Sequence, residues 1–199
     1  MKKAILLLVT LIFFALPFVH AQQRYDSPDA RSQSENAFMQ QQAPNFKVIS
    51  LEGDTLELDR LKGKVVVLNF WFSTCRPCLR EIPCLNQLVE KYGREKVAYL
   101  AVSVNDTREE LQYFFDFLKD PARNRRIPAR SFEFTAIPDA NEHNVLIARN
   151  LYGVRFYPTT YLIDQAGKIV MTAGALGTNS GEETDEQFDQ KLATLLAGE

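Results

Sequence analysis

Apolar and polar residues change rhythm several times along this chain, and each change predicts an element. "FKVISLEGDTLELDRLKGK" alternates on both sides of Gly53-Asp54, the period-two pattern of a β-hairpin. "KVVVLNFWF" follows as an almost continuous apolar run with β-branched and aromatic residues, which fits a strand covered on both faces. From Cys75 to about Tyr92 the apolar positions Leu79, Ile82, Leu85, Leu88 and Val89 recur every three or four residues, and Gly93 stands where a helix would stop. "KVAYLAVSVN" then reads as a second buried strand.

Strand, helix and strand in so short a stretch make a βαβ unit, whose strands lie parallel and whose crossover is right-handed. Thr107 with Glu110 forms a capping box for a helix carrying Leu111, Phe114, Phe115 and Leu118 on one face, ended by Asp120-Pro121. "RSFEFT" predicts a short strand, and "NEHNVLIARNLYG" a helix with Val145, Ala148 and Tyr152 inward and Gly153 at its end. "PTTYLID" and "KIVMTA" flank "QAG" as a second hairpin. A closing helix, "TDEQFDQKLATLLAG", has a capping box of Thr184 with Gln187 and a stripe of Phe188, Leu192 and Leu195. The expected fold is α/β: a mixed sheet with helices on both faces and an extra N-terminal β-hairpin.

The first 21 residues, "MKKAILLLVTLIFFALPFVHA", change the picture of where the protein works. Two lysines, an apolar run and a small residue at Ala21 are the grammar of a secretory signal peptide, with cleavage after Ala21. An uncleaved anchor extended through Val19 is the competing reading, because the run is close to the length that spans a bilayer. No cysteine precedes Cys75, which argues against a lipid-modified N-terminus. Residues 22–42 are polar and rich in Gln, Ser and Asp, as expected of a disordered linker, and a single domain is expected over 43–199. The chain carries 23 basic and 25 acidic side chains; without Lys2 and Lys3 the balance moves from −2 to −4, which offers nothing to a nucleic-acid partner. The arginines of "ARNRRIPAR" fit a solvated loop, with an acidic partner as the alternative.

Three cysteines are too few, and too odd, for a disulfide framework in an exported domain of this size. Cys75 falls where a strand ends and a helix begins, near backbone N–H groups that have no partner within the helix. Such a terminus favours an anion by about 0.3–1 kcal/mol, and up to about 2 when partly buried, so it lowers a thiol's pKa. Arg76 adds positive charge beside it. Cys78, one helical turn on and deeper, would resolve a mixed disulfide formed at Cys75. Pro77 restricts the loop between them and suits the first helical turn. A purely structural staple is the other reading, but closing so short a loop removes little entropy from the unfolded chain. A metal site would need further ligands, and the mature chain offers only His143, far away in sequence.

Two other groups near the pair are open to more than one reading. Cys84 lies nine residues after Cys75, on the opposite side of the helix. It reads as a buried apolar-like side chain, with a regulatory or resolving thiol as the alternative. Pro83 before it predicts a kink. Glu81 shares the helical face of Cys78; beneath the pair it would exchange a proton with that thiol, and otherwise it is a solvated helix glutamate.

These residues resemble the thioredoxin superfamily, specifically the exported TlpA/ResA-type thiol-disulfide oxidoreductases, from about Ala43 onward. The carriers are the opening hairpin, the "KGK" turn, Trp71 ahead of Cys75-Arg-Pro-Cys78, Glu81 and Pro83 in "REIPCLNQL", and "YGVRFYPTTYLIDQAGKIV". The resemblance implies a cis peptide at Tyr157-Pro158 facing the cysteines, with the Tyr157 backbone placed to pair with an extended substrate segment; a trans proline opening an edge strand is the plain alternative. It also implies substrate contact at Trp71, Arg76, Pro77, Tyr157 and Pro158, with exchange chemistry at Cys75, Cys78 and Glu81. Its implied partners are exported proteins with disulfides or dithiols and a membrane electron donor, as in cytochrome c maturation, with a periplasmic location and no cofactor or metal. A peroxide-reducing enzyme on the same scaffold would carry threonine where Phe72 stands, which counts against that alternative. A non-catalytic binding module is the third class. Cys84 and the basic stretch from Arg123 to Arg130 depart from the family pattern.

Overall fold

A computed structural model of the chain describes residues 37–139, 146–177 and 182–198. The expected leader, His143, and most of the expected linker lie outside these residues. Residues 35–199 form one compact unit.

The first hairpin, β1 (Lys47–Ile49) and β2 (Thr55–Glu57), pairs antiparallel with Val48 opposite Leu56. β3 (Val65–Trp71) then enters the centre of a five-stranded sheet and leads into α1 (Arg76–Tyr92). β4 (Val97–Ser103), α2 (Arg108–Lys119) and β5 (Thr135–Pro138) follow, then β6 (Thr159–Ile163), β7 (Ile169–Ala173) and α3 (Glu182–Ala197). The order across the sheet is β5-β4-β3-β6-β7, with β3, β4 and β5 parallel and β6 and β7 antiparallel to their neighbours.

Alternation along β3 divides the core. Val65, Val67 and Trp71 face a cluster that holds α1, α2 and α3 through Ile82, Leu85, Leu111, Leu118, Phe188 and Leu192. Val66, Leu68 and Phe70 face the other cluster, where the N-terminal hairpin and a single π-helical turn, Ile147–Leu151, cover the sheet through Val48, Ile147 and Tyr152. Two right-handed crossovers that step the same way along a sheet place both helices on one face. This is why α1 and α2 share a side, while the second face receives only short helical cover.

The structure moves several predicted boundaries. The folded unit starts before Ala43: Gln40 N–H donates to Ile169 O at 2.7 Å, Ile169 N–H donates to Gln41 O at 2.9 Å, and the Phe38 ring lies 6.1 Å from Tyr152. Backbone pairing against a strand edge needs no apolar sequence, so composition did not reveal it. The strand predicted over "RSFEFT" forms one step later as β5. Phe132 and Phe134 are buried on the same side without ladder pairing, which gives the same alternating pattern. α3 spans Glu182–Ala197, so Thr184 stands inside the helix and not ahead of it. α1 continues through Pro83. Among the described residues no helix is long and apolar enough to cross a membrane.

Candidate active site

Cys75 is the N-cap residue of α1, and its Sγ accepts the Cys78 N–H at 3.3 Å. One of the terminal amides invoked from the sequence, that of Cys78, therefore reaches the sulfur. Cys75 and Cys78 are bonded to one another, with Cα atoms 5.3 Å apart. Cys75 is 5% exposed and Cys78 1%, so the first sulfur is the more accessible of two shielded ones. Arg76 is exposed at the first helical position and Pro77 is half-buried at the second, where a missing N–H costs no helical bond.

The loop that delivers Cys75 is held by a group that the sequence reading missed. Asp106, just after β4, accepts Ser73 N–H at 2.7 Å, and its carboxylate also accepts the hydroxyls of Ser73 and Ser103. Parallel pairing of β3 with β4 places Trp71 beside Ser103, so the two strand ends bring this loop and this carboxylate together. On its outer side, Phe72, Ser73 and Thr74 form one wall of a groove of about 660 Å³, with Glu109, Tyr113 and Phe117 of α2 on the other.

Glu81 lies one turn beyond Cys78 and is 1% exposed. Its Oε1 accepts Asn69 Nδ2 at 2.8 Å and its Oε2 accepts Leu176 N–H at 3.1 Å. Burial pushes its pKa up to about 8; the two hydrogen bonds oppose the rise and the charge of Asp185 adds to it. The solvated alternative is therefore excluded. Asn69 is one of the alternating residues of β3 that face α1, and its Nδ2 also donates to Thr160 Oγ1 at 2.9 Å, directly opposite on β6. A single amide in "VVVLNFW" was the available signal, since a buried polar side chain needs partners.

Cys84 is partly buried and carries the one free thiol among the described residues. Burial, with the charges of Asp185, Glu81 and Asp189, pushes its pKa up to about 11. It packs against the apolar cluster, as the simpler reading of the sequence expected.

The Tyr157-Pro158 peptide is cis. Phe70 pairs with Thr159, so the antiparallel register carries Pro158 and Tyr157 toward the end of β3 from which Cys75 follows. The Tyr157 ring stands edge-on to Phe72 at 5.7 Å. Trp71, expected to touch substrate, does not lie at this surface. It is 1% exposed and ringed edge-to-face by Phe114 at 5.2 Å and Phe132 at 5.1 Å, because residue 71 falls on the helix-covered face of β3. The described residues contain no group of three or more His, Cys, Asp or Glu placed to hold a metal ion.

The AhpC/TSA family model matches residues 39–172. The chain belongs to that family. Its curated relatives include the thiol-disulfide oxidoreductase ResA of Bacillus cereus, 32% identical over 164 residues and 82% of both chains. ResA of Bacillus anthracis is 34% identical over 154 residues, 77% of this chain and 76% of that one. Among solved structures, a protein of Chlorobium tepidum bearing the thiol:disulfide interchange name DsbE aligns with a TM-score of 0.59 at 28% identity, covering 78% of this chain and 95% of its own. The protein is thus a thioredoxin-fold member of the family and a thiol-disulfide oxidoreductase.

Proposed function

We propose that this oxidoreductase reduces disulfides of specific exported proteins through Cys75 and Cys78. The observation that carries the reading is the N-cap position of Cys75, with a main-chain amide on its sulfur and a buried carboxyl one turn beneath the pair. In the reduced enzyme, Cys75 thiolate attacks one sulfur of the substrate disulfide; a mixed disulfide forms and the other substrate sulfur leaves as a thiolate, which takes a proton from water. Cys78 then gives its proton to Glu81 carboxylate and attacks Cys75. The mixed disulfide breaks, the second substrate sulfur leaves as a thiolate, and two electrons have passed to the substrate. The enzyme is left with the Cys75–Cys78 bond.

A dithiol of a membrane electron donor would reduce that bond again by the same steps. Arg76, Pro77 and the Tyr157-Pro158 segment would contact the substrate around Cys75. The leader-like residues 1–21 support work outside the cytoplasm, in the periplasm, with the segment either removed or kept as an anchor. Service to cytochrome c maturation is the role that the family resemblance favours. Phe72, its aromatic ring against Tyr157, supplies no hydroxyl for peroxide chemistry at that position.

Cys78→Ser, expressed in cells, tests this reading. Without the resolving thiol, substrate proteins should stay bonded to Cys75 and be recovered from it. A trap that stays empty, while the variant is folded and exported, would instead support a binding module.

A further inference from the structure

Beyond β7 the chain crosses α1 as a short strap, residues 174–177. Two of its residues have left-handed backbones, Ala175 at φ 51° and Gly177 at φ 73°. Between them, buried Leu176 directs its N–H to Glu81 Oε2. Gly177 comes so close to α1 that a Cβ placed on it would stand 2.5 Å from Cys84 Cβ and 3.4 Å from Cys84 Sγ. The Gly177 N–H donates at 2.8 Å to Asp185 Oδ2 on α3. Successive amides of the strap are thus fixed to carboxylates on two different helices.

We propose that the contact of Gly177 with Cys84 is a positioning device for the buried carboxyl. It seats the strap at the depth from which Leu176 N–H reaches Glu81, and so sets the acid strength of that group and the pH range of thiol exchange. The last step rests on Glu81 being the proton acceptor of Cys78.

The physical basis is that an N–H pointed at a carboxylate favours its charged form, whereas burial disfavours it. The groups that face Glu81 are Asn69 from β3, the strap amide, Asp185 from α3 and Cys84 on its own helix, with Cys78 one turn ahead of it. Asp185 and burial resist ionisation, and the Asn69 and Leu176 donors oppose them. Lifting the strap by the width of a methyl group removes one of these two donors. Cys84 therefore acts through its Cα–Cβ frame and not through thiol chemistry.

The test is made on the oxidised full-length protein with isotope-labelled glutamate carboxyls, followed by infrared spectroscopy against pH. In that form Cys75 and Cys78 are bonded and Cys84 is held up to about 11, so no thiol titrates near Glu81. Glu81→Gln identifies the band. Gly177→Ala should move the Glu81 midpoint upward by about one pH unit, a tenfold weaker acid. Gly177→Ala combined with Cys84→Gly removes the collision and keeps only the left-handed backbone strain that the single variant also carries, so it should bring the midpoint back, even though glycine inside a helix lowers thermal stability further. A midpoint unmoved by Gly177→Ala, or one that the double variant fails to restore, overturns the proposal. Should either variant not fold, the Leu176 amide resonance of the unsubstituted protein decides: it follows the Glu81 midpoint if the contact exists, and a flat response overturns it. Turnover of Glu81→Gln tests the proton-acceptor reading separately, and its failure would leave the titration result standing.

Discussion

Asn69 and Glu81 meet at 2.8 Å between the central strand and the helix that begins at Cys75. Both are buried, so the carboxyl beneath the cysteines is isolated from water but not from hydrogen-bond donors. This arrangement yields a group that changes charge in the range where thiols do. Without burial it would be a permanent carboxylate; without the donors its pKa would rise still further.

Glu81→Gln should slow the resolving step on the order of 100-fold at pH 9, where the native carboxyl is ionised, and much less at pH 6, where it already holds its proton. Stopped-flow reduction of a protein disulfide at the two pH values measures this. Equal losses at both would deny the carboxyl a role as proton acceptor.

The same group makes stability depend on pH. Its pKa is about 8 folded against 4.5 for an ordinary glutamate, so between these values the unfolded chain releases a proton that the native state keeps. Stability therefore falls as pH rises through this window and levels off above about 8, by an amount on the order of a few kcal/mol. Asp139, pushed up to about 7 by burial, acts in the same direction. Thermal unfolding of the oxidised protein should show a lower midpoint at pH 9 than at pH 5, and Glu81→Gln should reduce the difference.

Much of the site was legible in the sequence because its elements are local. The N-cap position of Cys75, the turn to Cys78 and the placing of Glu81 on the helical face of Cys78 all follow from one helix and its start, while the burial of Glu81 does not. What escaped depends on neighbours across the sheet. Asn69 finds Glu81 because alternation points it at α1, and finds Thr160 through the β3–β6 register. Asp106 reaches Ser73 because two parallel strands end side by side. Trp71 was misplaced for the converse reason: its substrate contact was implied by its place in a family motif, which says nothing about the side of the strand it occupies.

Asp106→Ala should leave the fold intact while freeing the Ser73 loop. Loss of a carboxylate that accepts from one amide and two hydroxyls costs about 1–3 kcal/mol, and the rate of attack by Cys75 should fall with it. Chemical denaturation and single-turnover kinetics, measured together, check both halves.

Trp71→Ala should destabilise by about 3–5 kcal/mol, since a large buried ring is removed from an aromatic cage. Trp71→Phe should retain the native KM for a protein disulfide. A raised KM in that variant would restore Trp71 to the substrate surface.

Cys84→Ala keeps the Cβ that meets the strap and removes only the thiol, so exchange rates should remain within about twofold of native. The native oxidised protein should be alkylated slowly at neutral pH, because its free thiol is pushed up to about 11.

The most direct test follows alkylation of Cys75 against pH in the reduced protein, with Cys84 replaced by alanine. The N-cap amide predicts a midpoint below the ordinary thiol value of about 8.5 and rapid reduction of the Cys75–Cys78 bond by simple dithiols. A Cys75 that ionises no more readily than free cysteine, joined to a disulfide that dithiols leave untouched, would contradict the account.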